Sequence, residues 1–281
     1  MKNILSVLKR RNINNKFLAC VEDSNYAEVL NYLNNKKVNI NCTSKGKHFN
    51  SIPWEKNVTA LHIAVANNNP TMIKLLLEYH PNFQAITSYR STLLHCLPLY
   101  HNNQTNEVID LLKDNVNVNA VNKDGYTILH EAVLNSYDRV NKILTIPLVN
   151  IDALTFKHNK TALYLACKKS TLDIVELLIN FRVDIFCTTN KGRNIFHAAT
   201  KNHKDRRILP YLCELLHGSQ NFIINNEDNY GYNPLYFAKD SHIDILLKYG
   251  CCANIKSLEN KNNDDLILIV NHLLHKDVKT S

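Results

Sequence analysis

Apolar residues recur along this chain in paired blocks. A short block led by threonine or asparagine appears as TALHIA at Thr59, TLLHCL at Thr92, TILHEA at Thr127, TALYLA at Thr161, NIFHAA at Asn194 and NPLYFA at Asn233. Each is followed by a second apolar segment: MIKLLLEY, EVIDLLK, VNKILTI, DIVELLI, ILPYLCELL and HIDILLKYG. Short polar stretches then lead onward, VNVNA from 116, VNIDA from 149 and VDIF from 183. Each unit thus reads as two short helices and an extended finger. The block starts lie 33, 35, 34, 33 and 39 residues apart, and self-similarity at a nearly fixed period marks a repeat architecture.

The position two residues before each block sharpens the picture. It holds Asn57, Arg90, Gly125, Asn159, Gly192 and Gly231, so three of the chain's six glycines share one repeat position. A finger turn with positive φ explains the choice, because glycine tolerates it freely and asparagine better than most. Arg90 is the exception, and Pro98 falls inside the first helix of the same repeat, where proline breaks the hydrogen-bond ladder. The second repeat is therefore expected to be distorted.

Period, T-x-L-H block, paired helices and V-N-x-N finger together resemble the ankyrin repeat. The fold this implies is all-α: an ankyrin-repeat solenoid of stacked helix pairs with short β-hairpin fingers. The expected organisation is an N-terminal capping ankyrin-like unit at 1–42, an insertion loop at 43–58, six repeats over 59–257 and a C-terminal capping segment at 258–281, with polar helices at that end. Terminal units of a solenoid are atypical because one face meets water. Trp54 in the insertion is expected to lie against the first full repeat.

The recurrent histidine invites a catalytic or metal-binding reading. In T-x-L-H at a helix start, however, the threonine hydroxyl can cap orphan amides and the histidine can return a hydrogen bond. The resemblance implies this structural role for Thr59 with His62, Thr92 with His95 and Thr127 with His130. Histidines one repeat apart, about 10 Å on stacked units, could not share a metal. Tyr164 and Tyr236 stand at the same position, which a catalytic role would not allow.

Composition narrows the remaining chemistry. The 281 residues are 45% hydrophobic, enough for a real core. The longest aliphatic run, Leu266 to Val270, is far short of the roughly 20 residues of a membrane helix, and the start MKNILSVLKRRN lacks the form of a signal peptide. A cytoplasmic location is expected, host-cell cytosol or nucleus included. The eight cysteines follow no loop-closing or C-x-x-C spacing and read as reduced thiols. The vicinal Cys251 and Cys252 could bind a soft metal with His242 or His275, but packing is the preferred reading. No phosphate-cradling glycine loop, nucleophile elbow or zinc-protease motif occurs. No catalytic residue, metal site or cofactor is expected.

Surface charge is the feature left over. The net charge is +8, and residues 155–207 alone carry eleven Lys and Arg against four Asp and Glu. Ankyrin proteins commonly contact partners through finger tips and the ends of their first helices. Carried onto this sequence, those positions are Lys157, His158, Lys160, Lys168 and Lys169 in the fourth repeat, and Lys191, Arg193, Lys201 and Lys204 in the fifth. Tyr126, Tyr230 and Tyr232 occupy neighbouring finger positions. The reading is a monomeric, non-catalytic scaffold that binds a protein partner bearing an acidic segment, by analogy a host-directed effector or regulator. The alternatives are a nuclear-factor-kappa-B-inhibitor-like regulator, a ubiquitin-ligase substrate adaptor, and a binder of nucleic acid or anionic lipid through the basic patch.

Overall fold

The structure, a computed structural model, describes residues 2–44, 49–53, 55–98, 103–218, 223–239, 241–259 and 261–277. The chain divides into two compact units, Met1–Asn150 and Ile151–Ser281.

The first unit contains α1 (Lys2–Glu22), α2 (Tyr26–Asn34), α3 (Ala60–Ala66), α4 (Pro70–Leu77), a 3-10 helix (Leu93–Cys96), α5 (Asn103–Leu112), α6 (Ile128–Ala132) and α7 (Tyr137–Leu144). The second contains α8 (Ala162–Lys169), α9 (Leu172–Asn180), α10 (Ile195–Ala199), α11 (Ile208–Leu216), α12 (Pro234–Phe237), α13 (Ser241–Lys248), α14 (Ile255–Leu258) and α15 (Asn263–Asp277).

First helices pack on first helices and second on second. In the first unit α3 meets α1 and the 3-10 helix while α4 meets α5; in the second, α8 meets α10, α10 meets α12, and α11 meets α13. A helix flanked on both sides must be apolar nearly all round. Accordingly α3 buries every residue from Ala60 to Val65 and α8 every residue from Ala162 to Cys167. The second helices bury one stripe, Met72, Ile73 and Leu76 in α4 and Ile174, Val175 and Leu178 in α9.

The block threonines start the first helices. Thr59 Oγ1 accepts the His62 N–H, and the Thr59 N–H donates to His62 Nδ1 at 3.3 Å. Thr127 and His130 repeat the exchange, and Asn194 takes the threonine's place before His197. In the second repeat His95 Nε2 reaches the Tyr126 carbonyl of the next finger at 2.8 Å. A carbonyl only accepts, so Nε2 carries the proton and Nδ1 is free to accept from Thr92. Replacing the fully buried His130 by alanine is expected to cost about 1–2 kcal/mol through its lost bonds to Thr127, with unfolding still cooperative in a urea titration. A fully stable variant would contradict the structural role.

Three expectations change. The fingers are not β-hairpins: among the described residues the β-bridge is the isolated pair Phe49 and Ile52 in the insertion. Instead each finger is a single tight turn, as where the Asn122 N–H donates to the Tyr126 carbonyl at 3.0 Å. Asn122 Oδ1 accepts the Asp124 and Tyr126 N–H groups, so a side chain replaces the second rung of a ladder. Second, Arg90 has the same left-handed turn as its counterparts, φ 58° beside 59° at Asn57 and 79° at Gly125. The distortion of the second repeat lies in its first helix, a 3-10 turn that stops at Cys96 before Pro98. Third, the C-terminal helix α15 is not polar all round, for Ile267, Val270, Leu273 and Leu274 are exposed. The insertion buries Phe49 and Ile52, and the Ser51 N–H bonds Glu22 at 3.2 Å; Trp54 lies outside the described residues.

Candidate functional site: a basic cleft between finger turns

In the second unit the basic residues stand on three fingers built alike. The Thr155 N–H donates to the Lys160 carbonyl, and Thr155 Oγ1 accepts the Lys160 N–H, both at 3.0 Å. The Thr189 N–H donates to the Arg193 carbonyl at 3.0 Å, and its hydroxyl oxygen accepts the Arg193 N–H at 3.2 Å. In the next finger Asp228 takes this role, accepting the Tyr230 and Tyr232 N–H groups at 3.0 and 3.1 Å. Neighbouring turns are joined at their tips: the Asn190 N–H donates to the His158 carbonyl at 3.1 Å, and the Asn229 N–H to that of Lys191 at 2.9 Å. Gly192 is needed twice over here. Its φ is +73°, and a Cβ would stand 3.1 Å from the Asn229 backbone nitrogen that makes the second of these joints.

This frame brings Lys160, Lys168, Lys191 and Arg193 around one cavity of about 120 Å³, with Tyr164 and Thr189 in its wall. Lys160 comes from one finger, Lys168 from the last turn of α8, and Lys191 and Arg193 from the next finger. The Asp228 side chain, fully buried, accepts from Arg193 Nε at 2.9 Å. Burial would raise its pKa, but the Arg193 bond and the two backbone N–H groups outweigh it and hold the carboxyl below its usual range.

Beyond Arg193 lies an aromatic cluster. Lys201 Nζ stands 3.7 Å, and the Arg193 guanidinium carbon 4.6 Å, from the centre of the Phe237 ring. Tyr232 is stacked on Tyr236 at 4.0 Å and lies 6.5 Å from Tyr230. Crowding of like charge shows in the titration. Burial lowers the pKa of Lys160, Lys168 and Lys201, and the neighbouring cations lower it further. Lys201 is pushed down to about 8. The same causes, desolvation first and then Lys160, Lys157 and Lys191, depress His158.

Not every expected residue joins this cleft. Lys157 and Lys169 are exposed at its margin, and each contributes to lowering Lys160. Lys204 is an exposed residue of the loop after α10, its backbone N–H held by the buried Asn202. Tyr126 belongs to the first unit, where its ring packs edge-on against His130 at 5.6 Å and its carbonyl serves His95. Asp228, Phe237, Tyr164 and Thr189 were not picked out as binding residues from the sequence. Their involvement depends on which repeats are neighbours, a fact that composition does not carry.

The first unit has a larger cavity, about 810 Å³, walled by Glu22, Glu55 and the ends of α3 and the 3-10 helix. Its carboxylates are already occupied: Glu22 accepts the Ser51 N–H, and Glu55 accepts the Tyr89 N–H and the Ser91 hydroxyl. Of the vicinal cysteines, Cys251 is buried and Cys252 exposed. No helix among the described residues is long and apolar enough to cross a membrane.

Comparison with known proteins agrees with this architecture. A family model of three ankyrin repeats matches residues 143–215 and 163–257, and a single-repeat model matches residues 56–85, together just over half of the chain. The fowlpox virus ankyrin repeat protein FPV031 is 28% identical over 274 residues, covering 92% of this chain and 74% of that protein. A Rickettsia bellii ankyrin repeat protein is 25% identical over 69% of this chain, which spans only 26% of that relative. The mouse B-cell lymphoma 3 protein homolog is 26% identical over 67% of this chain and 41% of its own. Among solved structures, the ankyrin repeat domain of Bcl-3, described as a member of the IkappaB family, superposes with a TM-score of 0.63 at 22% identity, covering 82% of this chain and 97% of that domain. With these family models matching just over half of its length, the chain belongs to the ankyrin-repeat family.

Proposed function

We propose that this chain is a non-catalytic interaction protein whose second unit holds an acidic segment of a partner protein. Ankyrin repeats are protein-interaction scaffolds, and the observation that points to this surface is the cleft itself. Lysines from two fingers and a helix end converge there, while the carboxylate of Asp228 is committed to Arg193 and the backbone. Potentials of charges this close add within a Debye length of about 8 Å at physiological salt, attracting an acidic ligand and speeding its association. Action as a monomer in the cytosol, as a host-directed effector or regulator, belongs to the same reading.

The exposed Lys157, Lys169 and Lys191 suit a test better than Lys201, which packs on Phe237. Reversing these three to glutamate is expected to leave the melting temperature nearly unchanged. Binding of a fluorescent oligoglutamate peptide, read by anisotropy, should weaken at least about tenfold, and wild-type affinity should fall with added salt. Equal binding by the triple variant would remove the proposal. The kinship with B-cell lymphoma 3 protein and the NF-kappa-B p105 subunit, 26% identical over 208 residues, supports a second reading as an IkappaB-type regulator. Titration against NF-kappa-B dimers tests it, and no binding rejects it.

A further inference from the structure

We infer that the cavity between the fourth and fifth finger turns receives a phosphomonoester group, carried on a phosphorylated side chain of the partner's acidic segment. This rests on the acidic-segment reading above and specifies what its central group is.

The first ground is charge. Lys160, Lys168, Lys191 and Arg193 surround about 120 Å³, and the carboxylate of Asp228 already answers Arg193. A glutamate side chain brings one negative charge. A phosphomonoester brings about 1.5 to 2 at pH 7 on three acceptor oxygens, which suits cations arriving from three directions. The second ground is size. At about 120 Å³ the cavity has room for one tetrahedral group.

The third ground is the neutral wall. Tyr164 stands at the position that His95 and His197 use to reach the next finger's carbonyl, and it adds a phenol to the cavity. The Thr189 hydroxyl oxygen accepts the Lys191 and Arg193 N–H groups, so its own proton is available to donate.

The surroundings favour a peptide over a nucleic acid. Single strands gain much of their affinity by stacking bases on open aromatic faces. Here Phe237 has Lys201 and Arg193 over its ring, and Tyr232 is stacked on Tyr236, so these faces are already engaged.

The test uses the full chain and two labelled oligoglutamate peptides that differ only in a central serine or phosphoserine. Phosphorylation is expected to tighten binding at least tenfold. Lys160→Met with Lys168→Met should bring the ratio close to one, weakening the phosphoserine peptide far more than the serine peptide. Inorganic phosphate should displace the phosphopeptide selectively. The pH profile adds a readout that general acidity would not give. Phosphopeptide affinity should fall below about pH 6 as the phosphate takes its second proton, whereas the glutamates hold their charge to about 4.5. Equal affinity for the two peptides overturns the phosphate site and leaves the acidic-segment reading standing; no binding of either overturns both. Retention on vesicles bearing phosphorylated lipid headgroups without any phosphopeptide preference also overturns it, in favour of a headgroup site.

Discussion

Replacing Arg139 with methionine should cost the first unit about 3–5 kcal/mol, the usual result of removing one partner from a buried charged cluster. Arg139 is 1% exposed, one of the largest fully buried side chains. Its guanidinium donates to the Pro98 carbonyl at 3.0 Å and the Leu94 carbonyl at 3.5 Å. These carbonyls belong to the end of the shortened first helix of the second repeat. The Leu94 carbonyl also accepts the Leu97 N–H at 3.3 Å, and the arginine of the following repeat adds charged donors where the short 3-10 turn ends. Burial pushes its pKa down to about 10, and the nearby Glu131 opposes that shift. The guanidinium therefore stays charged at neutral pH.

Glu131 makes the effect depend on pH. Burial pushes its pKa up to about 7, with Arg139 holding it down. A carboxyl raised above its unfolded value stabilises the fold fully below that value and stops doing so as pH rises through the folded one. In Arg139→Met this pKa should rise further, so the variant should lose more stability than wild type between pH 6 and 8. The melting temperature at pH 7.5 should drop by about 10 °C, and adding Glu131→Gln should restore part of it. A variant within 2 °C of wild type would mean that the two carbonyls need no buried donor.

Much of this molecule was legible in its sequence because the repeat imposes the same local problem six times. Thr59, Thr92, Thr127 and Thr161 could be read as helix starts, and the positive φ at Asn57, Gly125, Asn159, Gly192 and Gly231 follows from residue types at one position. The cations of the cleft were visible for the same reason. What escaped depends on distant partners. In YDRVNKIL Arg139 looks like one more polar residue of α7, and its burial follows from a proline forty-one residues earlier. The pairing of Arg193 with Asp228 and the seat of Lys201 on Phe237 likewise join different repeats. The hairpin expectation failed on a smaller scale: the turns close with side-chain bonds from Asn122, Thr189 or Asp228, which leaves no second rung to make a strand.

Acid should weaken the second unit through His197. His62 in the first unit and His197 in the second are fully buried, and burial pushes both imidazoles down to about 4. A histidine whose folded pKa lies below its unfolded value of about 6.5 contributes stability above 6.5 that is lost as pH falls toward 4. At 1.36 kcal/mol per pH unit, each amounts to about 3 kcal/mol, a large share of a domain's 5–15. Within this window the first unit has both a counterweight to His62 and a second histidine lowered by burial, His95. Glu131 takes up its proton between about 7 and 4.5 with the opposite sign, so acidification removes a buried charge there. For His197 the protein offers Asp228, which its bond to Arg193 holds below the usual carboxylate range, and Asp205, likewise held low by Arg207; neither offsets the histidine between 6.5 and 4. Hydrogen exchange at pH 7 and pH 4.5 should therefore show protection lost across α8, α10 and α12. His197→Gln should be less stable than wild type at pH 7, having lost the bond to the Tyr232 carbonyl, yet should lose less on going to pH 4.5. If these helices keep their protection at pH 4.5, or the glutamine variant is as acid-sensitive as wild type, His197 is not the group that titrates.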